Sequence, residues 1–164
     1  MFTAGLTRSI AASFLLTNSV SSIGSPQRLL RGDREEETMP TNGALTWLIP
    51  DAYLAAPADD DPINKNHESI CILNVTPDDA NVLLDFYFED REAVEGIAIT
   101  VPAKRCPHVR LDKPEQIAGF EIPFDVPYGV RLRSDVPIVV QYSRMYASGG
   151  QIESLITTIA YPVE

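Results

Sequence analysis

The amino-acid sequence predicts an all-β protein, a single antiparallel β-sandwich of about eight strands. Val82, Leu84 and Phe86 fall on one face of an extended segment, whereas Asp85 and Tyr87 fall on the other, the alternation of a half-buried strand. Short strand-like runs recur at regular spacing between Pro, Gly and Asp, and no run shows the period of an amphipathic helix. These patterns favour a sandwich over helical or alternating α/β folds.

The first half of the predicted domain begins with a short strand and a polar loop. Residues 45–49 form this strand, which Pro50 is expected to close. The loop covers residues 57–66 and is rich in Asp and Pro. Residues 70–73 are apolar on both faces, which predicts a central strand and places Cys71 in the core.

The second half is predicted to contain a hairpin of long strands, a long loop and further short strands. The loop, residues 113–127, holds three prolines and no period. A turn at residues 134–137 is expected to separate two strands, and Gly149-Gly150 to precede the last one. The predicted strands of this half are residues 82–90, 97–101, 109–111, 130–133, 138–144 and 152–161.

Length and composition predict one soluble domain in the cytoplasm. A chain of 164 residues with 45% hydrophobic residues can bury one sizeable core. Its apolar runs are far shorter than the ~18 residues that a transmembrane helix needs. The net charge of −10 opposes attraction to nucleic acid, so no bulk nucleic-acid binding is expected. Two cysteines, Cys71 and Cys106, are too few for a disulfide scaffold, which favours reduced cytosolic thiols.

Residues 1–38 lack any strand pattern and are interpreted as an unstructured leader, with the folded domain at residues 39–164. Three interpretations of the leader stay open. One is a weak signal peptide, with Arg8 as its positive end and residues 10–16 as a minimal apolar run. Another is an effector-type leader, because Arg-Leu-Leu-Arg at residues 28–31 precedes acidic residues, as in the leaders of host-targeted effectors.

The third interpretation, which we favour, is upstream sequence translated from a start codon placed too early. Glu codons are purine-rich, so residues 34–37 would be encoded by a stretch like a bacterial ribosome-binding site. Met39 would then be the true start. N-terminal sequencing of the protein from its native host distinguishes these interpretations.

Basic residues cluster in strand-like segments of the second half, on a chain that is otherwise acidic. The fork-shaped donors of arginine suit a carboxylate, a phosphate or the paired hydroxyls of a sugar. Alternatively, these arginines pair with Asp and Glu across a subunit interface, and the sequence leaves both explanations open. The residues concerned are Lys104, Arg105, Arg110, Arg131, Arg133 and Arg144.

No metal, cofactor or catalytic centre is expected from the residue spacing. Cys106 and His108 could be combined with His67 and Cys71 as a zinc site, but neither pair has metal-knuckle spacing. His67 and Glu68 are adjacent, so on a strand they point to opposite faces and do not readily serve one substrate. The sequence has no GxSxG, no HExxH and no Gly-rich phosphate loop, so an enzyme is not expected.

Seven segments resemble the sensory rhodopsin transducer family in order and spacing. The resemblance extends from Leu45 to Val163, and the segments are specific as a set. Residues 113–128 and 142–146 depart from the family pattern, although Arg144 is retained. The segments are residues 47–53 (WLIPDAY), 67–74 (HESICILN), 88–91 (FEDR), 101–105 (VPAKR), 108–110 (HVR), 134–141 (SDVPIVVQ) and 158–162 (TIAYP).

The resemblance implies a small soluble β-sandwich that forms a homotetramer. The family is named for a member that relays the signal of a photosensory rhodopsin, and many members are thought to bind sugar-like or other small polar molecules. We therefore expect a non-enzymatic signalling protein with a small polar ligand, sugar-like or anionic. The alternative is an adaptor that docks a membrane sensory rhodopsin.

A ligand site is expected where polar side chains occur within the family-like segments. Arginine, amide and imidazole donors beside an aromatic ring suit a polyhydroxylated or anionic small molecule. Trp47 would supply the stacking ring. The predicted site residues are Trp47, His67, Glu68, Asn74, Arg105, His108, Arg110, Gln141 and Arg144.

Overall fold

The computed structural model describes residues 42–58, residue 60 and residues 65–163, all of which lie in one compact unit, Met39–Glu164. The leader, with its three interpretations, lies outside these residues. Within the described ranges, no helix combines the length and the hydropathy that a membrane-spanning segment requires.

The described residues form eight antiparallel strands and one short 3-10 helix, which confirms the predicted all-β class. The helix, Pro114–Gln116, lies within the predicted proline-rich loop. The strands are β1 (Ala44–Tyr53), β2 (His67–Leu73), β3 (Ala80–Phe88), β4 (Val94–Val101), β5 (His108–Arg110), β6 (Pro127–Ser148), β7 (Gln151–Ile159) and β8 (Tyr161–Val163).

Strand β6 is 22 residues long and belongs to both layers of the sandwich. Its first half lies in a sheet of order β4-β3-β6-β1-β8, and its second half pairs with β2 and β7 in the other sheet, where β5 lies beside β2. The two sheets are therefore joined by one continuous strand.

The predicted turn at residues 134–137 is wrong, because β6 continues through it. Pairing of β6 with β3 ends at Ser134, and pairing with β2 begins at Val139. Pro137 thus lies where β6 passes from one sheet to the other. Its missing N–H removes no hydrogen bond that these two ladders need, so the proline is tolerated inside the strand.

Two further strand boundaries differ from the prediction. Pro50 does not close β1, since the strand continues to Tyr53 with an irregular register between Ile49 and Ala52, where a proline is tolerated. The predicted last strand is divided at Ala160, because β7 pairs with β6 whereas β8 pairs with β1 in the other sheet. The turn at residues 149–150 is confirmed, and both glycines have positive φ.

The core lies between the two layers and contains the predicted apolar face of β3. Val82, Leu84 and Phe86 are fully buried, and the Phe86 ring lies 5.1 Å from the Phe120 ring. Cys71 was expected in the core, but it is only half-buried. The side chains of β2 alternate, so the buried Ile70 and its neighbour at 71 face opposite sides of the sheet.

The opposite face of β3 holds a buried carboxylate that the alternation pattern alone does not indicate. Asp85 is fully buried. Its oxygens accept hydrogen bonds from Arg131 (2.8 Å), from Arg133 (3.0 Å) and from the backbone N–H of Gly96 (2.8 Å). These two arginines therefore pair within the chain, so their presence in strands does not require a subunit interface.

The pKa of Asp85 is lowered. Burial alone would raise this pKa, but the hydrogen bonds from Arg133, Gly96 and Arg131 more than offset it. Because the folded-state pKa lies below the unfolded value of about 3.9, the stabilisation is fully present above that value. It is lost as the pH falls through the folded-state pKa.

Asp85→Asn should lower the free energy of unfolding by about 1.5–3 kcal/mol at pH 7, because charge-assisted hydrogen bonds are lost. Urea denaturation of both proteins between pH 7 and pH 2.5 measures the effect. The difference in free energy of unfolding between wild type and variant should disappear below pH ~4. Asp78→Asn, a change at an exposed turn residue, is the control. If this difference in free energy of unfolding stays constant down to pH 2.5, the charge of Asp85 does not contribute to stability.

Candidate functional site

The residues predicted as one ligand site lie in several separate places. One group occupies the outer face of β2, β5 and β6. Register places Arg110 opposite Ser69, while His108 and Gln141 both lie opposite Cys71. His67 lies on the same face by alternation.

Two residues of this outer group already form hydrogen bonds within the chain. Arg110 donates through Nε and Nη2 to both carboxylate oxygens of Asp112, at 2.6 and 2.7 Å. Nδ1 of His67 lies 2.8 Å from the backbone oxygen of Lys65. The described residues contain no group of three or more His, Cys, Asp or Glu side chains that could hold a metal ion.

Asn74 and Arg105 lie together at the end of β2, where they form an isolated bridge. The buried amide of Asn74 donates to the backbone oxygens of Asp78 and Val101, and its oxygen accepts from Thr76. These hydrogen bonds fix the turn after β2 and leave this amide little capacity for a ligand. The side chain of Arg105 donates to the backbone oxygen of Lys104.

Trp47 lies in the core rather than on a surface. Its side chain is 4% exposed, and its indole N–H lies 3.1 Å from the oxygen of Ala44 and 3.0 Å from that of Ile138. In this conformation the ring packs between the sheets and offers no stacking face to a ligand.

Glu68 and Arg144 are the two predicted residues that the structure brings together on the inner side of the second sheet. They lie directly opposite each other on β2 and β6. Glu68 is fully buried, and its carboxylate accepts hydrogen bonds from the hydroxyls of Tyr128 and Tyr142 and from the backbone N–H of Tyr53. Three donors thus satisfy the buried carboxylate.

The two tyrosines act as hydrogen-bond donors at all ordinary pH values. Burial raises the pKa of Tyr128 well above its usual value, and the adjacent Glu68 raises it further. Burial and the hydrogen bond to Glu68 likewise raise the pKa of Tyr142. Both phenols therefore stay protonated and can donate to Glu68.

Arg144 differs from Arg110, Arg131 and Arg133 because no described carboxylate lies within ion-pair distance of it. Its guanidinium lies 5.6 Å from the centre of the Tyr146 ring, a cation–π contact that helps to hold it in place. Its Nε is buried and has no hydrogen-bond partner among the described residues. A buried N–H without an acceptor is unfavourable by roughly 1–3 kcal/mol.

Arg144 lines a cleft of about 340 Å³, at the place where β1 and β8 of one sheet approach β6 and β7 of the other. We call it the Arg144 cleft. The phenol of Tyr142, which donates to Glu68, forms part of its wall. The polar lining residues are Asp51, Tyr142, Arg144, Thr158 and Tyr161, and the apolar ones include Ile49, Ile156 and Ile159.

A second cleft, of about 430 Å³, lies beside the loop between β5 and β6. It is lined by apolar side chains and by the carboxylates of Asp112 and Glu121, and no arginine lines it. The larger volume alone does not make it the better site, because none of its lining side chains carries a buried polar atom that lacks a partner.

Sequence reasoning missed Asp51, Tyr142 and Thr158 as lining residues of the cleft. Tyr142 carried a usable signal, since it lies two residues before Arg144 and therefore on the same face of β6. Asp51 lies within a segment that carries the family resemblance. Thr158 lies within another such segment, but only the pairing of β7 with β6 brings it to the cleft.

An apolar surface formed by β7 and β8 borders the Arg144 cleft. Leu155 is 67% exposed, Ile159 61% and Tyr161 69%. Within the part of the chain that the structure describes, β7 pairs with β6 alone, so its other edge is open. We call these residues, with Ile152 and Val163, the β7–β8 surface. An open strand edge with large exposed apolar side chains is typical of an interaction surface.

The fold and the cleft define a small antiparallel β-sandwich protein with an arginine-bearing cleft between its sheets. The chain belongs to the Anabaena sensory rhodopsin transducer family, whose sequence profile matches residues 42–162. This confirms the resemblance found in the sequence.

The solved structures that are similar to this chain include two with informative matches. The crystal structure of Thermotoga maritima 1070 is 33% identical with a TM-score of 0.66, and the match covers 76% of this chain and 98% of that one. The Anabaena sensory rhodopsin transducer is 36% identical with a TM-score of 0.51, and the match covers 62% of this chain and 89% of that one. A comparison with curated proteins finds no match.

Proposed function

We propose that this transducer-type protein acts without catalysis, by binding a small polar ligand, sugar-like or anionic, in the Arg144 cleft. The observation that supports the proposal best is the buried Nε of Arg144, which has no acceptor among the described residues. The Nε–H has almost no accessible surface in this conformation, so a ligand oxygen would accept its hydrogen bond after a shift of the Arg144 side chain, and the N–H would then have a partner.

The surroundings of Arg144 support a binding role in two further ways. The cleft volume of about 340 Å³ falls within the range of small-molecule sites, about 300–1,000 Å³. The wall residue Tyr142 is held by Glu68, so little side-chain freedom is lost when a ligand binds.

Arg144→Ala should weaken ligand binding about tenfold or more, because a charge-assisted hydrogen bond contributes roughly 1.5–3 kcal/mol. The measurement is a thermal-shift screen of the wild type against sugars, sugar acids and nucleotides, followed by titration of each hit with the variants. Arg105→Ala and Arg110→Ala are the matched controls, since neither residue lines the cleft.

The controls also test the wider site that the sequence predicted. If Arg110→Ala loses ligand binding and Arg144→Ala binds normally, the ligand site lies on the outer face of β2, β5 and β6. If no compound stabilises the wild type, the ligand-binding proposal fails.

A second candidate function is that of a cytoplasmic adaptor that docks a membrane sensory rhodopsin and relays its signal by protein contact. The β7–β8 surface favours this candidate, because a partner would cover its exposed leucine, isoleucine and tyrosine side chains. The same surface supports self-association into the homotetramer that the family resemblance implies. A rhodopsin gene beside this one would favour the adaptor, and neighbouring sugar-uptake genes would favour the ligand sensor.

Leu155→Lys combined with Ile159→Lys should dissociate the tetramer, because buried charges would oppose closure of the apolar contact. Sedimentation at micromolar concentration measures the assembly state. Val75→Lys, a change at an exposed apolar residue in the turn after β2, is the control. If the double variant is still a tetramer, the subunit interface lies outside the β7–β8 surface. If the wild type is a monomer, the self-association proposal is wrong.

A further inference from the structure

We propose that the Arg144 cleft selects a zwitterionic α-amino acid with an apolar side chain. This inference rests on the binding role proposed for the cleft, and it takes an amino acid as the small polar ligand in place of a sugar or an anion. Three features of the cleft support it: the placement of its charges, their sum, and the chemistry of its walls.

The cleft carries one positive and one negative side chain that do not pair with each other. Arg144 on β6 and Asp51 on β1 both line it, yet no ion pair within 4.0 Å joins them. Because the two residues line one cleft without an ion pair, a ligand that carries both charges can contact each of them. A carboxylate can accept from the guanidinium of Arg144, and an ammonium group can donate to the carboxylate of Asp51.

The sum of charges disfavours the strongly anionic ligands. Glu68 lies behind Tyr142 and directly opposite Arg144 across the strand pair, so its carboxylate belongs to the same electrostatic environment. The cleft lining therefore offers one guanidinium against the carboxylate of Asp51, with Glu68 close by, which disfavours a phosphate with two negative charges. A zwitterion adds no net charge and satisfies both exposed ionic groups.

The remaining walls fit the side chain of such a ligand. Ile49, Ile156 and Ile159 supply apolar surface on both sides of the cleft, from β1 and from β7. A sugar would place its hydroxyls against these isoleucines, where they find no hydrogen-bond partner. An aliphatic side chain instead buries apolar area there. The volume of about 340 Å³ is near the small end of ligand sites and suits a free amino acid.

The test compares L-leucine with two derivatives that each lack one charge. N-acetyl-L-leucine lacks the ammonium group, and L-leucinamide lacks the carboxylate. Isothermal titration and thermal shift of the full chain should show binding of L-leucine and at least tenfold weaker binding of each derivative. Gluconate and glucose are titrated in parallel as a sugar acid and a sugar.

Two variants assign each charge to its residue. Asp51→Asn should weaken the binding of L-leucine about tenfold. The binding of N-acetyl-L-leucine should change little, because this derivative has no ammonium group to contact Asp51. Arg144→Gln should weaken the binding of L-leucine and of N-acetyl-L-leucine by the same factor, since both compounds carry the carboxylate. Asp78→Asn, an exposed residue outside the cleft, should leave all binding unchanged. Circular dichroism confirms that each variant is folded before titration.

The outcomes separate this inference from the proposed function. Arg144-dependent binding of gluconate or glucose without binding of L-leucine overturns the amino-acid inference and leaves the proposed function standing. Equal affinity of L-leucine for wild type and Asp51→Asn also overturns the inference. Absence of binding by L-leucine overturns the inference, and absence of binding by every compound here and in the thermal-shift screen overturns both.

Discussion

Glu68→Ala should lower the free energy of unfolding by about 3–5 kcal/mol, the range found when one partner of a buried polar network is removed. The substitution leaves the hydroxyls of Tyr128 and Tyr142 and the N–H of Tyr53 without their acceptor. It also leaves a cavity between the sheets, because Glu68 is fully buried. Urea denaturation followed by circular dichroism measures the change.

Two further variants identify the hydrogen bonds as the cause. Glu68→Gln keeps one acceptor oxygen and the side-chain volume, so it should lose clearly less stability than Glu68→Ala. Glu115→Ala removes an exposed glutamate and should stay within about 0.5 kcal/mol of wild type. Equal stability of Glu68→Ala and wild type would mean that the tyrosine network does not stabilise the fold.

Trp47→Ala should lower the free energy of unfolding by about 3–5 kcal/mol, as expected for removal of a large buried aromatic ring. Trp47→Phe keeps a ring in the core but removes the indole donor to Ala44 and Ile138, so its loss should be about 1–2 kcal/mol. Because Trp47 is the only tryptophan of the chain, circular dichroism rather than fluorescence must follow unfolding of both variants.

The same pair of variants tests the stacking role that the sequence suggested for this tryptophan. A buried ring should affect stability and leave ligand affinity unchanged in Trp47→Phe. If Trp47→Phe keeps its stability but loses ligand affinity, the ring must reach the ligand in the bound state.

The sequence predicted the parts of the fold that depend on local patterns. Alternation of apolar side chains placed Val82, Leu84 and Phe86 in the core, because a strand turns successive residues to opposite faces. The same local logic failed at residues 134–137, where Pro137 resembles a turn signal. The proline does not form a turn, because it lies where the strand that pairs with β6 changes from β3 to β2.

The candidate site was predicted only in part, because residues distant in the sequence build it. Glu68 and Arg144 were among the predicted residues, but their placement opposite each other follows from the register of β2 and β6. Asp51 and Thr158 reach the cleft through strand pairing that no local pattern encodes. The burial of Asp85 is similar, because the two arginines that donate to its carboxylate, Arg131 and Arg133, lie on another strand.

The length of β6 also determines when the protein can fold. This strand pairs with β1, β2, β3 and β7, so most strand pairs of the fold include it. Among the strands that the structure describes, only the β3–β4 and β2–β5 pairs have both members available while a ribosome synthesises β1 to β5. The emerging chain therefore carries apolar strands without their β6 partner until β6 has left the exit tunnel, its first half for β1 and β3 and its second half for β2. Pairings between such distant segments slow folding to milliseconds or seconds, so a chaperone that binds extended apolar segments would have time to act.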